Sequence, residues 1–246
     1  KIWNAARDVM MNSEDKTLTT AIEPANCSIA DRWIMSRFEQ AAQSVAEAMD
    51  NYRFDIAAQT LHEFVWNEYC DWYVELSKPV LWDEENNPEA AQATRRVLLS
   101  TLEKSLRLLH PFMPFITEEV WQKVAPLLSI EGESIMLQPY PQFDSNTVDR
   151  EAEEQIDWLK GIIVAIRNIR GEMDIAPGKA IPVFLRHGDK GDQERLEAHR
   201  PYLQKLAKLE SVAWLADDQE APASATGLHG KVEILVPLAG LIDVDA

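Results

Sequence analysis

Residues 28–52 read SIADRWIMSRFEQAAQSVAEAMDNY, and their spacing decides the fold class. Ile34, Phe38, Ala41, Val45, Ala48 and Tyr52 recur at alternating steps of four and three. That period sets apolar side chains along one stripe of an α-helix. Ser28 stands three residues before Asp31, a pairing whose side chains satisfy free backbone amides at a helix start. The stretch predicts a long helix that packs its seam into a bundle.

The same period extends to either side. KIWNAARDVMMN at 1–12 sets Ile2, Ala6 and Val9 on one stripe and reads as a helix entered partway along, as expected of a piece of a larger protein. After a polar loop containing Pro24, residues 54–77 predict a helix rich in aromatic side chains (Phe64, Trp66, Tyr69, Trp72, Tyr73) that stops near Lys78 and Pro79. Asn87, Pro88 and Glu89 supply an N-cap, a proline at the first helical position and an acidic first turn for a helix through Leu109. His110, Pro111 and Pro114 end it, and His110 is expected to hydrogen-bond at that helix end. Thr117, Glu118 and Glu119 open a short helix carrying Val120, Trp121 and Val124. Trp66, Trp72 and Trp121 are expected in the core. QPYPQF at 138–143 reads as an extended crossover, followed by a helix over 147–173 with Ala152, Ile156, Leu159, Ile163, Ile166 and Met173 on one face.

All nine glycines lie at or after Gly132, so a helical first half gives way to a turn-rich second half. Beyond Pro177 and Gly178 the period shortens to β-like runs at 181–186, 211–216 and 227–238, with a helix at 192–208 and a turn at Gly230. The expected fold is mainly α: an antiparallel helix bundle over 1–145 followed by a small α+β domain over 146–246.

Composition narrows the function. The 246 residues are 46% hydrophobic and 26% charged, the balance of a folded globular chain. A net charge of −17 works against indiscriminate adhesion to nucleic acid or anionic lipid and leaves room for a local basic site. Cys27 and Cys70, without CxxC spacing, support neither a disulfide scaffold nor a zinc cluster. No apolar run approaches the roughly 20 residues that span a bilayer, and a cytoplasmic location is expected. Phosphate loops, GxGxxG, GxSxG and HExxH are all missing, since His62 and Glu63 precede Phe64, Val65 and Trp66. Cys70 sits in an apolar helix and reads as an inert thiol, and Glu118 with Glu119 reads as complementing a helix dipole. No catalytic residue, metal ligand or cofactor is expected within this stretch.

Trp33 and Arg37, four residues apart, lie about 100° to one side of the seam through Ile34 and Phe38. Two readings stay open: the pair stacks and holds an unpaired base, or the Trp packs on a neighbouring helix with Arg37 covering it. Lys160, Arg167 and Arg170, spaced by seven and three, share a helix face flanked by Asn168. That face either contacts phosphate directly or is solvated and balanced by Asp157 and Glu172.

Three further stretches carry a family resemblance. KIWNAAR at 1–7, RFDIAAQTLHEFVWNEYCDWYVELSKP at 53–79 with LLHPFMPFITEEVWQ at 108–122, and IRNIRGEMDIAPGK at 166–179 together resemble bacterial valyl-tRNA synthetases downstream of their catalytic core. The middle pair is shared by the isoleucyl and leucyl enzymes. The amino acid therefore rests chiefly on Arg167, Asn168, Arg170, Glu172, Met173, Pro177 and Lys179. The resemblance implies an anticodon-binding helical domain and a C-terminal junction that position valine tRNA for a catalytic domain elsewhere in the same chain. The HIGH and KMSKS signatures, with the ATP and magnesium they serve, belong to that domain, and this stretch should be inactive alone. It implies a monomer without a membrane partner. It also places Arg7, Lys16 and Arg32, beside Asn12, near the anticodon, with ion pairs to Asp8, Glu14 or Asp31 as the alternative. The rival assignments are the equivalent region of an isoleucine–tRNA ligase and a helical protein-interaction scaffold without RNA contact.

Overall fold

The stripe on residues 28–52 forms α2, Ile29–Asp50, and its start carries both halves of the predicted box. The Ser28 hydroxyl accepts from the Asp31 amide at 3.1 Å, and the Asp31 carboxylate accepts from the Ser28 amide at 2.8 Å. Such a cap stabilises a helix start by about 1 kcal/mol. Ile34, Phe38, Ala41, Val45 and Ala48 are buried. Tyr52 departs from the expected seam: the helix has ended, its φ is +56°, and the ring is 80% exposed, edge-on to Phe54.

The structure is a computed structural model and describes residues 1–13, 16, 18 and 21–239. It is mainly helical, followed by a small four-stranded sheet. The chain divides into two compact units, the first Lys1–Glu153 and the second from Glu154 on.

In the first unit α1, Ile2–Met11, buries Ile2, Ala5, Ala6 and Val9. The expected second helix begins as α3, Phe54–His62, widens into a π-helical stretch, Glu63–Tyr73, and continues as α4, Val74–Trp82. It does not stop at Pro79, which lies inside α4. Leu76 and Leu81 are buried on either side, and their packing outweighs the one missing N–H. The following helix, α5, spans Pro88–Leu109, but Asn87 makes no side-chain cap bond, because its amide donates to Asp83 instead. The last α-helix to lie wholly within this unit is α6, Pro114–Val124, which starts three residues earlier than Thr117, with Pro114 in its first turn. His110 Nδ1 lies 2.7 Å from the Thr117 hydroxyl, so at the end of α5 it meets a side chain of α6 rather than a carbonyl of its own helix.

Trp121 is 1% exposed and donates to the buried Glu103 carboxylate at 2.8 Å. Trp66 and Trp72 are only half-buried, and Trp66 stacks on His62 at 5.0 Å.

In the second unit the buried face of α7, Arg150–Glu172, carries Ile156, Leu159, Ile163 and Ile166. Met173 lies past its end and is half-buried. The sheet order is β2-β1-β4-β3, with β1 Ile181–Arg186, β2 Leu209–Trp214, β3 Ser224–His229 and β4 Val232–Pro237. The parallel β1–β2 pair is joined through α8, Lys190–Leu206. Antiparallel pairing sets Leu185 and Gly227 on either side of Ile234. The β3–β4 hairpin turns at Gly230, whose φ of +58° suits glycine. Gly227 lets α7 approach, since a Cβ there would meet Ile169 at 3.1 Å.

Candidate nucleic-acid interface

Arg32 projects from the first turn of α2 because the Ser28–Asp31 box fixes that turn. Its Nε donates to Asp149 at 2.7 Å and its Nη2 to Glu151 at 3.1 Å. Asp149 also accepts from the Ala152 amide at 3.0 Å, so one carboxylate caps a helix and holds the guanidinium. Burial pushes the Asp149 carboxyl up, but the bonds from Arg32 and Ala152 outweigh it and leave it below the usual range.

Beside Arg32 opens a cleft of about 670 Å³, lined by Ile22, Pro24, Cys27, Met35 and Val148. Burial, aided by Asp31, pushes the Cys27 thiol up to about 11, so it is protonated and unreactive at neutral pH. Burial likewise raises Cys70 to about 11, in keeping with the inert thiol expected there.

Asp31 does not pair with Arg32. It is fully buried and accepts from the Tyr73 hydroxyl at 2.5 Å and the Thr94 hydroxyl at 2.7 Å, tying α2 to the π-helical stretch and α5. Burial pushes its carboxyl up, against the pull of those bonds.

Trp33 is 1% exposed and lies in the core, which favours the packing reading over the one in which it stacks an unpaired base. Arg37 is half-exposed and forks onto Glu68, with Nη2 at 2.9 Å and Nε at 3.0 Å. The arrangement matches the packing alternative, a buried Trp under an ion-paired Arg. A stripe of six apolar positions could not reveal this, because Trp33 widens the buried face beyond the seam.

Lys16 pairs with Glu84 at 2.9 Å, and Arg95 grips the same carboxylate at 2.6 Å while donating to the Asn12 carbonyl at 2.9 Å. Hydrogen bonds from Arg95 and Lys16 pull Glu84 down to about 2. The partners expected from Asp8 and Asp31 are thus replaced by Asp149, Glu151 and Glu84, and Glu14 lies outside the described residues. Arg7 is exposed and has no ion-pair partner among the described residues.

The second expected patch divides. Lys160 stands 3.8 Å from Asp157, and Arg167 is exposed with its Nη2 3.2 Å from the Leu206 carbonyl. Arg170 turns inward and is 8% exposed, correcting its place on a solvated face. Its Nη2 donates to the carbonyls of Ala176 at 2.9 Å and Lys179 at 2.7 Å, gathering the APGK turn. Burial pulls the guanidinium below its usual range. Trp3 and Lys123, which sequence reasoning missed, meet on the surface with the ammonium 4.7 Å from the ring centre.

Among the described residues no helix is long and apolar enough to cross a membrane, and no cluster of three His, Cys, Asp or Glu side chains suits a metal ion. Residues 31–185 match the family described as the anticodon-binding domain of tRNA ligase. The match runs from the first turn of α2 into β1 and covers more than half of the chain.

Proposed function

Because the chain belongs to the family of anticodon-binding domains of tRNA ligases, we propose that it is the anticodon-binding and C-terminal junction region of a valine–tRNA ligase. The observation that carries the reading is the family match, which spans the bundle from α2 onward and includes the Arg167–Lys179 motif. That motif supports valine over the related ligases. Its Arg170 binds the turn that Pro177 and Lys179 help form, which gives these residue types a joint structural reason.

The chain contributes positioning and makes no bond itself. Anticodon contacts orient valine tRNA so that its acceptor end reaches a catalytic domain of the same polypeptide, where ATP and magnesium serve aminoacyl transfer. Orientation of this kind lowers the barrier by holding the reacting groups together. Arg7, Lys16, Arg32 and Arg37 are proposed to meet the anticodon arm, with Trp33 supporting the helix of Arg32 and Arg37 from within. Lys160 and Arg167 are proposed to meet RNA backbone or the catalytic body, with Arg170 acting from beneath. The protein is read as a cytoplasmic monomer with domains at 1–145 and 146–246.

Tryptophan fluorescence of the chain, titrated with valine tRNA and a variant changed at the central anticodon base at two salt concentrations, tests this. Preferential quenching by the unchanged tRNA is expected. Salt-insensitive signals indifferent to the anticodon would overturn the reading in favour of a protein-interaction scaffold.

A further inference from the structure

The exposed face of α1 carries a cation–aromatic arrangement outside the residues assigned above, Arg7 excepted. Trp3 is 44% exposed, and Lys123, reaching across from α6, holds its ammonium 4.7 Å from the centre of the indole. Glu119 pairs with the same ammonium at 2.8 Å. Arg7 follows Trp3 by four residues, so both lie on one helix face, and Arg7 makes no ion pair among the described residues. Glu119 is engaged by Lys123, Asp71 is engaged by Lys1 at 2.6 Å, and Asp8 follows Arg7 on α1.

We propose that Trp3, Arg7 and Lys123 form one contact surface for the sugar–phosphate backbone of the bound tRNA, extending the interface from α1 onto α6. The proposal rests on the tRNA-binding reading. In a chain of net charge −17, a guanidinium with no ion pair among the described residues, one helical turn from the indole that holds an ammonium, is a local site where polyanion binding is favourable. Because Lys123 occupies a face of the ring, Trp3 serves to hold the cation, and no base stacks on that face. A lysine already restrained by an indole loses less freedom on meeting a phosphate than a free one. The surface therefore reads backbone and is blind to the anticodon sequence.

The test is a salt titration of tRNA binding by the 246-residue chain and three variants. Lys123→Gln is expected to lower the slope of log affinity against log salt by about 0.9, the share of one phosphate contact. Trp3→Leu should weaken binding about two- to fivefold, the factor matching an exposed cation–π contact, and Trp3→Phe should restore most of it. Both losses should be equal for valine tRNA and for the variant with a changed central anticodon base. Wild-type affinity and slope in Lys123→Gln would overturn the proposal, even if Trp3→Leu failed to fold. Losses confined to one anticodon would overturn it too, in favour of base reading. Failure of the wild-type chain to bind either tRNA would remove the tRNA reading itself, and this inference with it.

Discussion

The Tyr73 hydroxyl donates to Oδ1 of Asp31 across 2.5 Å, joining two residues with no exposed surface, 42 positions apart in the chain. Oδ2 of the same carboxylate accepts from the Thr94 hydroxyl and the Ser28 amide, so one buried side chain registers α2, the π-helical stretch and α5. An unmade bond at such a site costs the desolvation of each stranded group, about 1–3 kcal/mol. Tyr73→Phe strands one acceptor site and is expected to cost about that much. Asp31→Ala strands three donors and should cost more than twice as much. Midpoints of urea unfolding check both, and equal losses would mean that the carboxylate does not organise the bundle.

Glu84 carries a pH signature. Bonds from Arg95 and Lys16 hold its folded carboxyl at about 2, against 4.5 for the unperturbed group. A lowered carboxyl stabilises the fold above the unfolded value, and that contribution fades as pH falls from about 4.5 towards 2. Glu84→Gln is therefore expected to destabilise the chain at pH 7 and to flatten the fall in stability across that acid window. Unfolding midpoints measured from pH 7 to pH 2.5 decide it. Parallel curves for the two proteins would show that Glu84 pairs equally in the unfolded chain.

Local signals were legible where a residue's neighbours in sequence are its partners in space. The Ser28–Asp31 box, the bounds of β1 and the Gly230 turn follow from short spacings and appear as expected. Pro79 misled because a breaker acts locally whereas Leu76 and Leu81 hold α4 by tertiary burial. Cations were the hardest to place. Their partners, Glu84 for Lys16 and Asp149 for Arg32, lie 68 and 117 residues away, a distance that no periodicity encodes. Trp3 and Lys123 escaped notice for the same reason, being joined only by the packing of α1 on α6.

Arg170 makes a prediction about the turn that it gathers. With its Nη2 shared among the Ala176, Pro177 and Lys179 carbonyls, the guanidinium fixes the turn from a buried position that a more strongly hydrated ammonium enters less readily. Amide hydrogen exchange over residues 175–181 should quicken in Arg170→Lys almost as much as in Arg170→Met, with α8 unchanged. Protection retained in Arg170→Lys would show that charge alone holds the turn.

Trp33 separates stability from recognition. At 1% exposure its indole contributes to the core, and Trp33→Ala is expected to cost about 3–5 kcal/mol by the cavity it leaves. Trp33→Phe refills most of that volume and should unfold near the wild-type midpoint. Since Arg37 is held by Glu68 above the helix, binding of an anticodon stem-loop should survive Trp33→Phe and fall in Trp33→Ala only in proportion to the unfolded fraction. Binding and circular dichroism followed on the same samples test the proportionality. A Trp33→Ala protein that is fully folded yet has lost most of its affinity would mean that the indole leaves the core to meet a base. The packing seen between α2 and its neighbours would then be the unbound arrangement alone.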